Sequence, residues 1–250
     1  MRLSSCSFTE LLRAVFSMPA ALVVVEGRMG TGKTDFALLL AEKALEIGVV
    51  DAVATNIATD RFKRICCYVE LVDWLEECRA LGYKPCYVLD EADSVIDARN
   101  PLSKINKKFR ELVWRLRKYR GKMIIVTHRW EDLEAAIRPF TTAIFRKVAL
   151  RRAVVELAFE YAGRTVIEID RIPKTSVRYD TYDVAPFEYG NGDDLDLRDL
   201  IVAVYYAAGM RQADIGKMLG ITQQAVSKRI KKVTKMLRAH NLQPPWGRGM

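Results

Sequence analysis

The chain has 250 residues, half of them hydrophobic, with 40 basic and 31 acidic side chains and a net charge of +9. That length and apolar content allow one sizeable core and a small second domain. Glu10 and Arg13 interrupt the start where a signal peptide needs an unbroken apolar run, and the apolar run 200–210 is too short to span a bilayer.

The five cysteines (Cys6, Cys66, Cys67, Cys78 and Cys86) show no metal-like spacing and suit reduced thiols. A soluble, cytoplasmic protein with no membrane partner is expected. From residue 209 onward nine basic residues face one acid, Asp214, a net of +8, while the rest of the chain holds 31 basic and 30 acidic groups. A local basic block beside a balanced domain suggests a polyanion-binding module.

Residues 22–26 form a β-branched run without polar interruption, as a central parallel strand requires. The octet GRMGTGKT follows (27–34), then a helical pattern that Gly48 stops. Residues 52–55 suit a second strand and 69–82 a helix. CYVLDEAD (86–93) reads as a strand ending in acids, KINKKFRELVWRLRKYRG (104–121) as a long basic amphipathic helix, and KMIIVTHR (122–129) as a further strand. This alternation implies an α/β fold with a mainly parallel sheet and helices on both faces. After Pro139 three segments alternate at period two, with a turn at Ala162-Gly163, and predict an antiparallel extension. Residues 177–196, rich in Tyr, Asp, Gly and Pro, lack periodicity and read as an interdomain connection, with the boundary near 190–194. Three helical segments end the chain. The expected domains are 1–190, 195–240 and a tail, 241–250.

The octet fits a phosphate-binding loop, whose glycines let successive backbone N–H groups face a phosphate chain at a helix N-terminus. Gly27, Arg28, Met29, Gly30, Thr31, Gly32, Lys33 and Thr34 are the candidate ATP-binding residues. Lys33 is expected to reach the outer phosphates, and Thr34 to ligate Mg²⁺ together with Asp90. Glu91, beside the metal-binding aspartate, suits a general base for water. Thr127 and His128 end the strand expected between the other two and are candidate γ-phosphate sensors. Arg99, Arg110, Arg129, Arg138 and Arg146 are candidates for a charge-stabilising arginine, and no sequence feature separates them.

GRMGTGKT with Thr55-Asn56-Ile57 downstream, VLDEAD, IIVTHR leading into DLEAAIR, and Tyr179-Asp180-Thr181 after a late hairpin together resemble the FtsK–HerA branch of P-loop ATPases. The likeness is to its zonula-occludens-toxin-like and archaeal virus or plasmid members and covers about 22–181. It implies a RecA-like core, Mg²⁺-dependent ATP hydrolysis, a homo-oligomer that is often a hexamer, and handling of double-stranded DNA. His128 departs from the pattern, because many members carry glutamine there. A DEAD helicase needs two such domains, and an initiator of the DnaA kind needs a helical lid where this chain offers strands.

QADIGKMLGITQQAVSKRIK (212–231) fits a helix-turn-helix. Ala213, Ile215, Leu219, Ile221, Val226 and Ile230 are its expected apolar positions, Gly216 the close approach and Gly220 the turn. The segment resembles regulators related to sigma-factor region four. Thr222 is the expected N-cap, and Gln223, Gln224, Ser227, Lys228 and Lys231 are expected to face the major groove. Arg211, Lys217, Arg229, Lys232 and Lys235 are expected on phosphates. The leading expectation is therefore a DNA-acting ATPase for translocation, packaging or replication. The alternative is an ATP-switched initiator or transcription regulator, and a small-molecule kinase ranks third.

Overall fold

Residues 21–25, an alanine, a leucine and three valines, are all buried and form β1 (Ala21–Gly27) inside an eight-stranded sheet. The computed structural model describes residues 8–99, 103–159, 163–183, 185–188, 197–239 and 242–246. The chain divides into two units, Met1–Tyr189 and Gly190–Met250.

In the first unit α1 (Phe8–Phe16) precedes β1, and α2 (Lys33–Glu46) follows it. Next come β2 (Ala52–Thr55), the two-residue β3 (Lys63–Arg64), α3 (Tyr68–Ala80), β4 (Pro85–Leu89), the short α4 (Ala92–Val95), α5 (Lys104–Tyr119) and β5 (Lys122–Thr127). β6 (Thr141–Ala149), β7 (Arg152–Phe159) and β8 (Gly163–Asp170) complete the sheet, whose order is β3-β2-β4-β5-β1-β6-β7-β8. Val23 and Val25 of β1 join the core under α1 and α2, whereas Leu22 and Val24 join the core under α3 and α5. Such period-two alternation, apolar on both faces, is what a central parallel strand requires.

β5 lies between β1 and β4 and pairs parallel with both. A phosphate-loop strand separated by one strand from an Asp-ended strand, in a mostly parallel sheet, is the RecA-like α/β arrangement. The extension after Pro139 is antiparallel only from β7 onward. Its first strand, β6, runs parallel to β1, and the two hairpin turns then reverse the chain. Residues 160–162, which include Ala162 of the expected turn, lie outside the described residues, as does the expected boundary at 190–194. Helix α1 adds to what the sequence pattern implies; its Leu11, Leu12, Val15 and Phe16 bury one stripe in the core beside α2.

Residues 177–188 are not a linker. Tyr179 bridges to Thr59 and Glu188 to Cys67, while Val177, Ala185 and Phe187 are buried in the two cores. Aromatic anchors and side-chain ties hold this segment, so it needs no hydrophobic periodicity.

The second unit has three helices, α6 (Leu197–Ala207), α7 (Gln212–Leu219) and α8 (Gln223–Ala239), around Val202, Ile215, Val226 and Ile230. Gly216 is the close approach: a Cβ there would stand 2.7 Å from the Ile221 carbonyl. Ala213, expected inside, is exposed; Val202 and the half-buried Tyr205 and Tyr206 of α6 fill that core instead. Among the described residues no helix is long and apolar enough to cross a membrane.

Candidate functional site

Gly27 ends β1, and α2 begins at Lys33, so the octet is the turn between a buried strand and a helix N-terminus. Gly30 and Gly32 have φ of 77° and 76°, the left-handed region in which a side chain is strained. The loop braces itself: Thr31 donates its hydroxyl to the Arg28 carbonyl at 2.8 Å, and Lys33 Nζ donates to the same oxygen at 3.3 Å. Met29 is 85% exposed.

Across the strand ends the Thr34 hydroxyl donates to Asp90 Oδ2 at 2.8 Å. Asp90 is buried, and that burial raises its pKa against the Thr34 hydrogen bond and Lys33. Burial also lowers the pKa of Lys33, although Asp90, Asp93 and Glu91 pull the other way. A cavity of about 330 Å³ opens here, lined by the loop, by the acids of 90–93, by Thr127 and His128, and by 179–183. Of the described side chains lining it, five are acids (Asp90, Glu91, Asp93, Asp180 and Asp183) and Lys33 is the one ammonium or guanidinium.

A hydroxyl and a carboxylate in contact are hard oxygen donors and suit Mg²⁺ when phosphate oxygens complete its shell. Among the described residues no cluster of three or more His, Cys, Asp or Glu could hold a metal unaided.

Glu91 follows Asp90 with φ 52°, one of three described non-glycine residues at positive φ, and its side chain is exposed on the cavity. Backbone strain at such a position is characteristic of functional sites. Thr127 is buried beside the cavity and donates to the Arg129 carbonyl at 3.2 Å. His128 Nδ1 lies 2.8 Å from Asp93 Oδ2, which leaves Nε2 for a ligand. The histidine is thus paired with a carboxylate at the cavity.

None of the five candidate arginines lines the cavity. Arg146 bridges Glu26 at 2.5 Å and Glu156 at 2.8 Å, and Arg110 is held by the buried Glu134. Arg138 donates to the Leu133 carbonyl and lies over the Trp130 ring. Among the described residues Arg99 pairs with its neighbour Asp97 and Arg129 with Asp132, and they stay 87% and 72% exposed.

Two contributions escaped the list of expected site residues. Asn56, fully buried, accepts from the Asp90 N–H at 2.9 Å and donates to the Asp90 carbonyl at 3.1 Å and the Ala185 carbonyl at 2.7 Å. Asp183 accepts from Arg64 at 3.0 Å and from the Ala58 N–H at 2.8 Å, which brings Tyr179, Asp180 and Thr181 to the cavity wall. Burial, with Asp35 and Asp90 nearby, pushes the Tyr179 hydroxyl up to about 12. The motifs at 55–57 and 179–181 were visible in the sequence, but only the tertiary ties show what they do.

In the second unit the Thr222 hydroxyl accepts from the Ala225 N–H at 3.2 Å, at the start of α8. Gln223, Gln224, Lys228 and Lys231 are exposed, and Ser227 is half-buried. Arg229 and Lys232, expected on phosphates, are instead tied within the unit. They hold Asp199 of α6, 1% exposed, at 2.5 Å and 2.6 Å. Arg211 pairs with Asp214. Counting charge only from residue 209 hid Asp199, because the acid lies upstream on another helix.

Fold and site together define a RecA-like P-loop α/β protein. No protein-family model matches the sequence, and no curated protein is similar to it at sequence level. Among solved structures it is similar to the genome-packaging NTPase B204 of Sulfolobus turreted icosahedral virus 2, in complex with ATP-gammaS. That match has 12% identity and TM-score 0.48 and covers 62% of this chain and 100% of that one. It is also similar to the N-terminal domain of zonular occludens toxin from Neisseria meningitidis, with 19% identity, TM-score 0.39 and coverage of 66% and 95%.

Proposed function

We propose that the chain is an Mg²⁺-dependent ATPase that acts on double-stranded DNA. The contact between Thr34 and Asp90, with Glu91 next in line at the cavity, carries the reading. The loop N–H groups and Lys33 hold the triphosphate, and Thr34 and Asp90 hold Mg²⁺, which supplies charge neutralisation when bound. Glu91 orients and deprotonates the attacking water, with Thr127 and His128 beside the γ-phosphate. A substrate hydroxyl would not need this glutamate, so hydrolysis ranks above small-molecule phosphorylation. Because the cavity has a single fixed cation among its described lining residues, a second one is supplied in trans, which makes the active form a homo-oligomer. Arg99 and Arg129, exposed and only locally paired, are the arginines best suited to that role.

The second unit holds DNA as a helix-turn-helix, with Thr222, Gln223, Gln224, Ser227, Lys228 and Lys231 at the major groove. Exposed glutamines at the start of α8 also favour a second reading, an ATP-switched initiator or transcription regulator that marks one sequence.

The test is ATP turnover with and without duplex DNA. Lys33→Ala is expected to abolish nucleotide binding, and Glu91→Gln to keep ATP bound while blocking turnover. Equal turnover by wild type and Glu91→Gln would sink the catalytic assignment. A single footprint with negligible turnover would select the switch.

A further inference from the structure

Helix α5 carries the strongest positive charge in the first unit. Residues 104–120 hold eight basic side chains and one acid, Glu111. Its inner face is apolar: Phe109, Leu112, Val113, Leu116 and Tyr119 are buried. Lys107, Trp114, Arg115 and Lys118 are exposed on the opposite face, at the three- and four-residue spacings that share one side of a helix. Lys108 neutralises Glu111 at 2.8 Å and Arg110 is taken by Glu134, but Lys107, Arg115, Arg117 and Lys118 form no ion pair with any described residue.

Trp114 is the second observation. It is 58% exposed in the middle of this face and makes no aromatic stack with a described residue. A solvated basic face gains nothing from an exposed indole, whereas a nucleic-acid surface gains a flat apolar group to lay against sugar or base. Arg115 and Lys118 sit about 6 Å apart and Lys107 about 12 Å further along, on a face about 17 Å long that suits a phosphate backbone.

We infer that the outer face of α5 is a DNA-binding surface of the ATPase unit itself, in which Lys107, Arg115 and Lys118 grip phosphates and Trp114 packs against the strand. The inference rests on the DNA-acting reading above and adds a contact that reading does not contain. The helix lies in the chain between β4 and β5, whose ends carry Asp90-Glu91 and Thr127-His128. It is tied to the segments that follow both: Asn106 donates to the Asp97 carbonyl at 2.8 Å, beyond α4, and Arg110 holds Glu134, beyond β5. DNA on this face therefore bears on the cavity through two connections.

The experiment uses the full chain with a short fluorescent duplex, titrated between about 50 and about 200 mM salt. In the triple variant Lys107→Ala, Arg115→Ala, Lys118→Ala the slope of log affinity against log salt is expected to fall by roughly two to three, about one per lost phosphate contact. DNA-stimulated turnover should be lost while basal turnover stays unchanged. Duplex should quench tryptophan emission in the wild type and fail to do so in Trp114→Phe. The control Lys228→Ala, Lys231→Ala must leave that quench in place. An unchanged salt slope in the triple variant overturns the inference, even where Lys33→Ala still abolishes nucleotide binding. Two further outcomes overturn it as well: a triple variant that loses only binding to phosphatidylserine vesicles, and one that loses only self-association. A wild type that binds no DNA sinks both this inference and the DNA part of the proposed function, while its ATPase part survives on turnover alone.

Discussion

The carboxamide of Asn56 grips the peptide of Asp90 on both sides, taking the Asp90 N–H on its oxygen at 2.9 Å and giving its N–H to the Asp90 carbonyl at 3.1 Å. Its other donor bond reaches the Ala185 carbonyl at 2.7 Å. One fully buried side chain thus joins the end of β2, the Asp90 end of β4 and the returning segment. Replacing it with alanine leaves three buried backbone groups without partners, at a cost of about 2–4 kcal/mol. Asn56→Ala is therefore expected to lower the urea midpoint. If the clamp also positions Asp90, kcat should fall by roughly tenfold or more while ATP affinity changes less. Lost stability with kcat preserved would reduce Asn56 to scaffolding.

Glu91 stands at φ 52° without being a glycine. Glycine there removes the left-handed penalty, which is worth about 1 kcal/mol. Glu91→Gly should therefore raise the thermal midpoint slightly while abolishing turnover, a trade expected where strain serves function. A variant that is both less stable and still active would show the conformation to be incidental.

What the sequence made legible followed from local chemistry. The phosphate loop, the Asp90-Glu91 pair and the strand ending in Thr127-His128 are each short and contiguous, and the place of β5 between β1 and β4 was expected from what is usual in such sheets. The misreadings share the opposite property. Residues 177–188 carry no periodicity because Asp183, Ala185 and Phe187 are held by distant partners, so their composition resembled a linker. Asp199 is separated from Arg229 and Lys232 by about thirty residues, so a count along the chain took both cations as free. The basic character of α5 was legible in the sequence, but only the ties of Lys108 to Glu111 and of Arg110 to Glu134 show which of its cations are already taken.

Asp199 supplies a stability test for the second unit alone. It is 1% exposed, while Arg229 and Lys232 retain 25% and 30% exposure and can partly hydrate once it is gone. Asp199→Ala should thus cost about 2 kcal/mol rather than the larger penalty of a fully buried pair. Trp246, whose ring lies 5.5 Å from Tyr206, should report the transition by fluorescence. No change in midpoint would return Arg229 and Lys232 to the list of phosphate contacts.

Alkaline stability should follow Lys122 and Lys147. Both ammonium groups are buried, and that burial lowers each to about 8. In the unfolded chain each lysine titrates near 10.4, so above pH 8 the unfolded state binds more protons than the folded one. Their contribution is fully present above the unfolded value and is lost as pH falls through about 8. Buried Cys86 works against this. Its thiol is pushed up to about 12 by burial, so its contribution declines once pH passes the unfolded thiol value near 8.5. The lysines act alone only at the start of the window. Urea midpoints should therefore rise between about pH 8 and 9, by up to about 1 kcal/mol per lysine. Lys122→Met should remove roughly half of that rise. Lys122 Nζ donates to the Met18 and Arg120 carbonyls at 2.5 Å and 3.2 Å, so the variant also loses stability at every pH. The diagnostic quantity is hence the slope and not the absolute midpoint: an unaltered slope in Lys122→Met would mean that its ammonium is not the group that titrates.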